Sequence, residues 1–171
     1  MLSKSEYVQG TRVPSGLLEP LGLLLVHFSL LEESLDDTLS LFLDLDKARG
    51  RLVAAQINDF KIKLEMLNYL ADSSLPKESD RQHFSRVIKL CTVANNAKHH
   101  IIHGDWHYSG LFASDNWRLE RSAGPEGEVT DPINRDRILN AARHAYRAHC
   151  ALVFVPNILN LAAGETRLSR L

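Results

Sequence analysis

A chain of 171 residues is long enough to bury one sizeable core and short for two domains. Its apolar fraction of 44% and charged fraction of 24% are those of an ordinary globular protein, so extended disorder is not expected. The formal net charge of -1 argues against a generic nucleic-acid coat, which is basic overall, but it leaves room for a local basic cleft.

The two cysteines, Cys91 and Cys150, lie far apart in apolar helical patterns and read as buried free thiols. They offer no cysteine-based metal motif. The N-terminal residues lack the apolar run of a signal peptide. The apolar run Leu21–Phe28 is too short to span a bilayer and is soon followed by acids. A cytoplasmic protein without a membrane segment is the expectation.

Residues 1–14 read as an irregular lead-in, broken by Gly10 and Pro14. A first helix, about 17–43, carries Leu21, Leu24, Phe28, Leu31, Leu35, Leu39 and Phe42 in steps of three and four. Glu32, Glu33, Asp36 and Asp37 fall between these positions and suit a solvated face, although Glu32 directly follows Leu31 and could stand at the seam. Asp44–Gly50 reads as a connection, with Gly50 its weak point. The second helix is expected over about 51–72, with Val53, Ile57, Phe60, Leu64, Leu67 and Ala71 on one stripe. The segment around Ser74, Leu75 and Pro76 ends it and starts a third helix, about 77–103. A loop this short makes neighbouring helices antiparallel.

In the third helix Phe84, Val87, Cys91, Ala94 and Ile101 form the apolar stripe, and Lys98 stands where the pattern calls for an apolar residue. It is either a snorkelling lysine or a cation aimed at a cleft. Thr92, Asn96, His99 and His103 make a polar ridge, and Gly104 ends the helix. Aromatic residues around Ser114-Asp115-Asn116 then suggest a β-hairpin over 105–122. Asp131-Pro132 opens a fourth helix, about 131–155, with Ile138, Ala141, Ala145, Ala148, Leu152 and Val155 inward; apolar turns beyond Pro156 reach toward Leu161. The expected fold is all-α: a single domain over 1–171, an antiparallel four-helix up-and-down bundle with a small hairpin between its third and fourth helices.

The chemistry-bearing residues gather at the end of the third helix. His99 and His103 have the four-residue spacing of metal ligands, and Glu32 could add a carboxylate. Yet the glutamate of a metalloprotease helix is missing, His100 points off the ridge, and His107 lies beyond the helix end. Neither a metal nor a cofactor is therefore expected, and a histidine metalloprotein is the lesser alternative. Acid–base chemistry needs no metal. Lys98, His99 and His103 span an arc of about 140° on an ideal helix, which a long lysine can narrow. A histidine in such a cluster could activate a ribose 2′-hydroxyl or protonate a leaving oxygen. A lysine could stabilise the charged transition state. No nucleophile turn or glycine-rich phosphate loop competes with this site. Arg135, Arg137, Arg143 and Arg147 on the fourth helix form a solvated face or a strip that tracks phosphates.

The run Lys98-His99-His100-Ile101-Ile102-His103-Gly104, followed by Trp106, resembles the signature of the HEPN superfamily: arginine, a polar residue, a few residues more and a histidine, often before glycine. Phe28-Ser29-Leu30-Leu31-Glu32, with Leu35, resembles the family's opening helix. The resemblance implies a small all-α domain that forms a homodimer with its site in the dimer cleft. Many such proteins are metal-independent endoribonucleases of toxin–antitoxin or defence systems; others are degenerate relatives that bind RNA, nucleotides or proteins. Residue by residue, His103 matches the motif histidine, His99 the polar residue and Lys98 the arginine, with Glu32 and Asn96 beside them. Lys98 departs from the pattern: it keeps the charge and loses the planar fork. An antitoxin or nucleotidyltransferase is the implied partner. The tyrosine that some members place two residues after the histidine is Asp105 here, and Tyr108 comes three residues later. The reading from a different class is a non-catalytic interaction module that presents Phe154, Val155, Ile158 and Leu159 to another chain.

Overall fold

The computed structural model describes residues 13, 15–108, 117–121 and 129–157. The protein is mainly helical, as its periodicity predicts. The helices are α1 (Ser15–Phe42), α2 (Lys47–Ala55), α3 (Phe60–Ser74), α4 (Glu78–His103) and α5 (Arg135–Val153). The lead-in before Val13, the turn at Ser114–Asn116, and Ile158, Leu159 and the expected turns to Leu161 lie outside the described residues.

α1 is the central helix. Leu24, Phe28, Leu31, Leu35 and Leu39 are buried, as their spacing predicts. Each contributes on the order of 1.5–3 kcal/mol of burial free energy before chain entropy is subtracted. By length and composition α1 could also cross a membrane. One stripe of the helix packs on α3, α4 and α5. The helix ends in a left-handed turn: Asp44 has φ 52°, and the Leu45 amide reaches back to the Ser40 carbonyl at 3.0 Å. A side chain is strained there, so Asp44→Gly should raise unfolding stability by about 0.5–1 kcal/mol in urea titration.

The predicted second helix is two helices. Asp46 caps α2 by accepting from the Ala48 and Arg49 amides, and Asp59 caps α3 by accepting from Lys61 and Ile62. Two capping aspartates enforce two starts, and the chain breaks between Gln56 and Asp59. The stripe through Val53 and Ile57 bridged that break only by keeping phase. Gly50 is accordingly a buried position inside α2 rather than a weak point of a connection. The acids expected on a solvated face fasten these helices to α1: Glu33 and Asp37 bind Arg51, Asp37 binds Lys47, and Asp36 binds Lys63 at 2.6 Å.

The additional helix changes the topology. Arg51 of α2 meets Glu33 and Asp37, whereas Gly50 lies against Ser40, so α2 runs back along α1. α3 starts beside Phe28, where the Phe28 and Phe60 rings lie 5.2 Å apart, and descends past Asp36. α4 climbs from Phe84, in ring contact with Phe42, to Lys98 beside Phe28. α5 descends again, through Arg135–Glu19, Tyr146–His27 and His149–Ser34. Among the four long helices, α1, α3 and α5 therefore share a direction and only α4 opposes them. The four-helix up-and-down order is not what forms.

Between α4 and α5 the backbone makes three short antiparallel strands, β1 (Asp105–Tyr108), β2 (Trp117–Arg121) and β3 (Val129–Ile133), in the order β1-β2-β3. The sequence predicted two strands and a helix from Asp131. Instead Asp131 and Pro132 pair with Leu119 and Arg118, and α5 begins at Arg135, with the Asn134 side chain accepting from the Arg137 amide. α5 ends at Val153; Val155 is buried and Phe154 exposed. A surface patch built on Phe154 and Val155 together is thus not available.

The core has two parts. A lower one packs Leu31, Leu35, Leu39, Leu67, Phe84, Cys91 and Leu152 among the helices. A smaller upper one joins Leu24, Ile101, Ile133, Ile138, Ala141 and Ala142, with Trp106 against it. The upper part joins α1, α4 and α5 with Ile133 of β3 and Trp106 of β1, and α3 adds nothing to it because it begins only at the level of Phe28.

Candidate functional site

That difference in helix length shapes the site. Above Phe28 the start of α1 and the end of α4 rise beyond α3. The sides that α3 covers lower down become open there. On α1, Leu25 lies toward that side at 49% exposure, and its neighbour Val26 is 58% exposed, high values for apolar residues in mid-helix. On α4 it leaves Asn96, His99 and His103 exposed. α4 reaches this point because its stripe is buried through Ile101, and it stops where Gly104 adopts extended geometry (φ -76°, ψ 149°) and feeds straight into β1. The Trp106 indole N–H donates to the Ile101 carbonyl at 3.0 Å and holds that helix end.

The predicted residues divide into two groups. His99 and His103 come together, with ring centroids 4.7 Å apart on the open ridge. Lys98 turns the other way. It is half-buried, and its ammonium group lies 4.5 Å from the centre of the Phe28 ring. This is a cation–π contact, worth about 0.5–1 kcal/mol when exposed and more when desolvated. It also explains how a lysine occupies an apolar stripe: its stem packs inward, and an aromatic face receives its charge. Glu32 is exposed on α1, one turn beyond Phe28, and is not drawn into the seam. Asn96 is exposed and belongs to a groove between α3 and α4. Of the predicted residues the structure thus brings only His99 and His103 together, on the open ledge at the end of α4; Lys98 meets Phe28, and Glu32 and Asn96 stand apart from the pair.

Comparison with known protein families, with curated proteins and with solved structures finds no match. The chemistry of the ledge must therefore be read from its own groups.

Those groups suit proton transfer and anion contact. Among the described residues, no three His, Cys, Asp or Glu side chains gather as a metal site. Neither cysteine forms a disulfide; Cys91 is buried as expected, and Cys150 is half-buried. Burial pushes the Cys91 thiol up to about 12, so it stays protonated and is no nucleophile. The arginines of α5 do not form one phosphate strip. Arg135 pairs with Glu19, holding that carboxyl below its usual range. Arg137 donates to the Pro132 carbonyl and contacts His100 at 3.2 Å, and Arg143 donates to Asn140.

Sequence reasoning missed two features. His27, Tyr146, His149 and Ser34 meet between α1 and α5, with Ser34 Oγ 2.7 Å from His149 Nδ1. The contributing residues lie more than a hundred positions apart, so no local pattern marks them. The α3–α4 groove, about 650 Å³, was missed for another reason: its α3 wall is a polar helix face that reads as simple solvent exposure.

Proposed function

We propose that this protein is a HEPN-like homodimer that acts on RNA as a metal-independent endoribonuclease. One observation carries the reading. The motif-like His99 and His103 lie together and exposed at the end of α4, just after Lys98, whose ammonium group meets Phe28 of α1 near the level where α3 begins. Leu25 and Val26 give a second copy something to bury, and burial of such surface drives association. Packing two ledges about a two-fold axis places two histidine pairs and two lysines across one cleft. In that cleft a histidine would take the 2′-hydroxyl proton while a second protonates the leaving 5′-oxygen, giving a 2′,3′-cyclic phosphate end. Lys98 would neutralise the phosphate, and Asn96 and Glu32 would line the approach. The helical architecture and the position of the motif at the end of a long helix fit this family reading. Such a protein would work in the cytoplasm, and an antitoxin or nucleotidyltransferase partner would act by occupying or modifying this cleft.

The test is direct. Purified protein in chelator should sediment as a dimer and convert single-stranded RNA to fragments with cyclic phosphate ends. A monomer that leaves every RNA intact and binds none would overturn the proposal.

A further inference from the structure

The groove between α3 and α4 leads along the polar ridge of α4 toward His99. Its floor is apolar, formed by Leu64 and Ile88, and Tyr69 stands at its rim, 74% exposed. Asn95 and Asn96 present side-chain amides from the α4 wall. No hydrogen bond to either amide occurs among the described residues. At about 650 Å³ the half-open space is large enough to take a small molecule. Its charges decide what enters. Glu65 and Asp72 line it, and Lys61 is paired with Glu65 at 3.7 Å. These carboxylates repel a phosphate. An apolar floor, an exposed aromatic ring and unpaired amides instead suit a flat heterocycle with an edge of donors and acceptors.

We propose that this groove is a nucleobase subsite, selective for adenine, serving the RNA-acting ledge; in that role it rests on the function proposed above. Tyr69 gives the base a stacking face, as aromatic side chains do in single-strand recognition. An asparagine amide matches the adenine edge with one acceptor and one donor. Asn96 and His99 are one turn apart, about 4.5 Å of helical rise. An RNA strand held by a base in the groove would therefore continue along the α4 ridge toward the histidines. The ligand chemistry is shared by free adenosine and by an adenine within RNA.

The two are separated by titrating adenosine, uridine and short RNAs with one adenine or only uridine, followed by NMR. Adenosine should shift the signals of Tyr69, Asn95 and Thr92, and uridine should not. The adenine-containing RNA should bind about tenfold more tightly than the uridine RNA. Tyr69→Ala, at an exposed position, should remove that preference, as should Asn95→Leu, with uridine RNA unaffected. RNA cleavage with no base preference, and no adenosine shifts in the groove, would overturn the subsite while leaving the ribonuclease reading intact. Adenosine seated at Tyr69 in a protein that cleaves no RNA would uphold the groove as an adenine site and remove the ribonuclease.

Discussion

Gly50→Val is expected to destabilise the protein by about 3 kcal/mol or more, at the upper end of overpacking effects. α2 lies on α1 with almost no space between the backbones. A Cβ on Gly50 would sit 1.9 Å from Ser40 Oγ, 2.2 Å from Ser40 Cβ and 3.0 Å from Ser40 Cα. Ser40 cannot swing aside freely, since it is buried and its hydroxyl donates to the Asp36 carbonyl at 2.7 Å. The whole helix must therefore lift. Lifting α2 would loosen the Arg51 pairs with Glu33 and Asp37, but those pairs are exposed and screened by solvent, so packing dominates the loss. Against a typical total of about 5–15 kcal/mol, this is a large fraction. The sign for Gly50→Ala is the sharper check. Helix propensity alone predicts a gain of about 1 kcal/mol, whereas the contact predicts a loss. Urea titration distinguishes them, and Ser40→Gly in the same chain should recover part of the loss. A Gly50→Ala protein as stable as the parent would show that the α1–α2 approach is not tight.

The stripes of α1, α4 and α5 were legible because every third or fourth residue is buried against a neighbour over many turns. The α2–α3 break was not, because Val53, Ile57, Phe60 and Leu64 keep helical phase across residues that are not helical. The capping aspartates Asp46 and Asp59 were the available signal, and local capping outweighed the apolar rhythm. At Asp131-Pro132 the helix-start signal competed with strand pairing and lost, since Asn134 offered a cap three residues later. The candidate residues on α4 stand out in the sequence by type and spacing. Their setting does not: that Lys98 lies over Phe28, and that α3 stops at the same level, depends on contacts between segments far apart in sequence.

His103→Ala is expected to slow RNA cleavage about 10²–10⁴-fold, the usual contribution of a positioned acid or base, without loss of stability. The second part follows from its exposure: the His103 ring stands on the surface beside His99, so its removal leaves the core untouched. Lys98 should behave differently, because it has two jobs. Lys98→Ala removes the charge that would meet the phosphate, with a loss of about 10²–10³-fold by analogy with a deleted transition-state donor. It also removes the cation–π contact with Phe28, lowering stability by about 0.5–1 kcal/mol or somewhat more. Lys98→Arg separates the two roles. A guanidinium stacks on an aromatic face as well as an ammonium does, so stability should be kept. Its planar fork also engages a phosphate through two hydrogen bonds, so cleavage should be at least as fast as in the parent. Single-turnover cleavage in chelator and thermal melting, measured on the parent and all three variants, give the comparison. Equal cleavage by the parent and His103→Ala proteins would remove the histidine from the chemistry. If Lys98→Ala loses stability but no activity, Lys98 is a core lysine held by Phe28, and the resemblance of this helix end to a catalytic motif is one of sequence only.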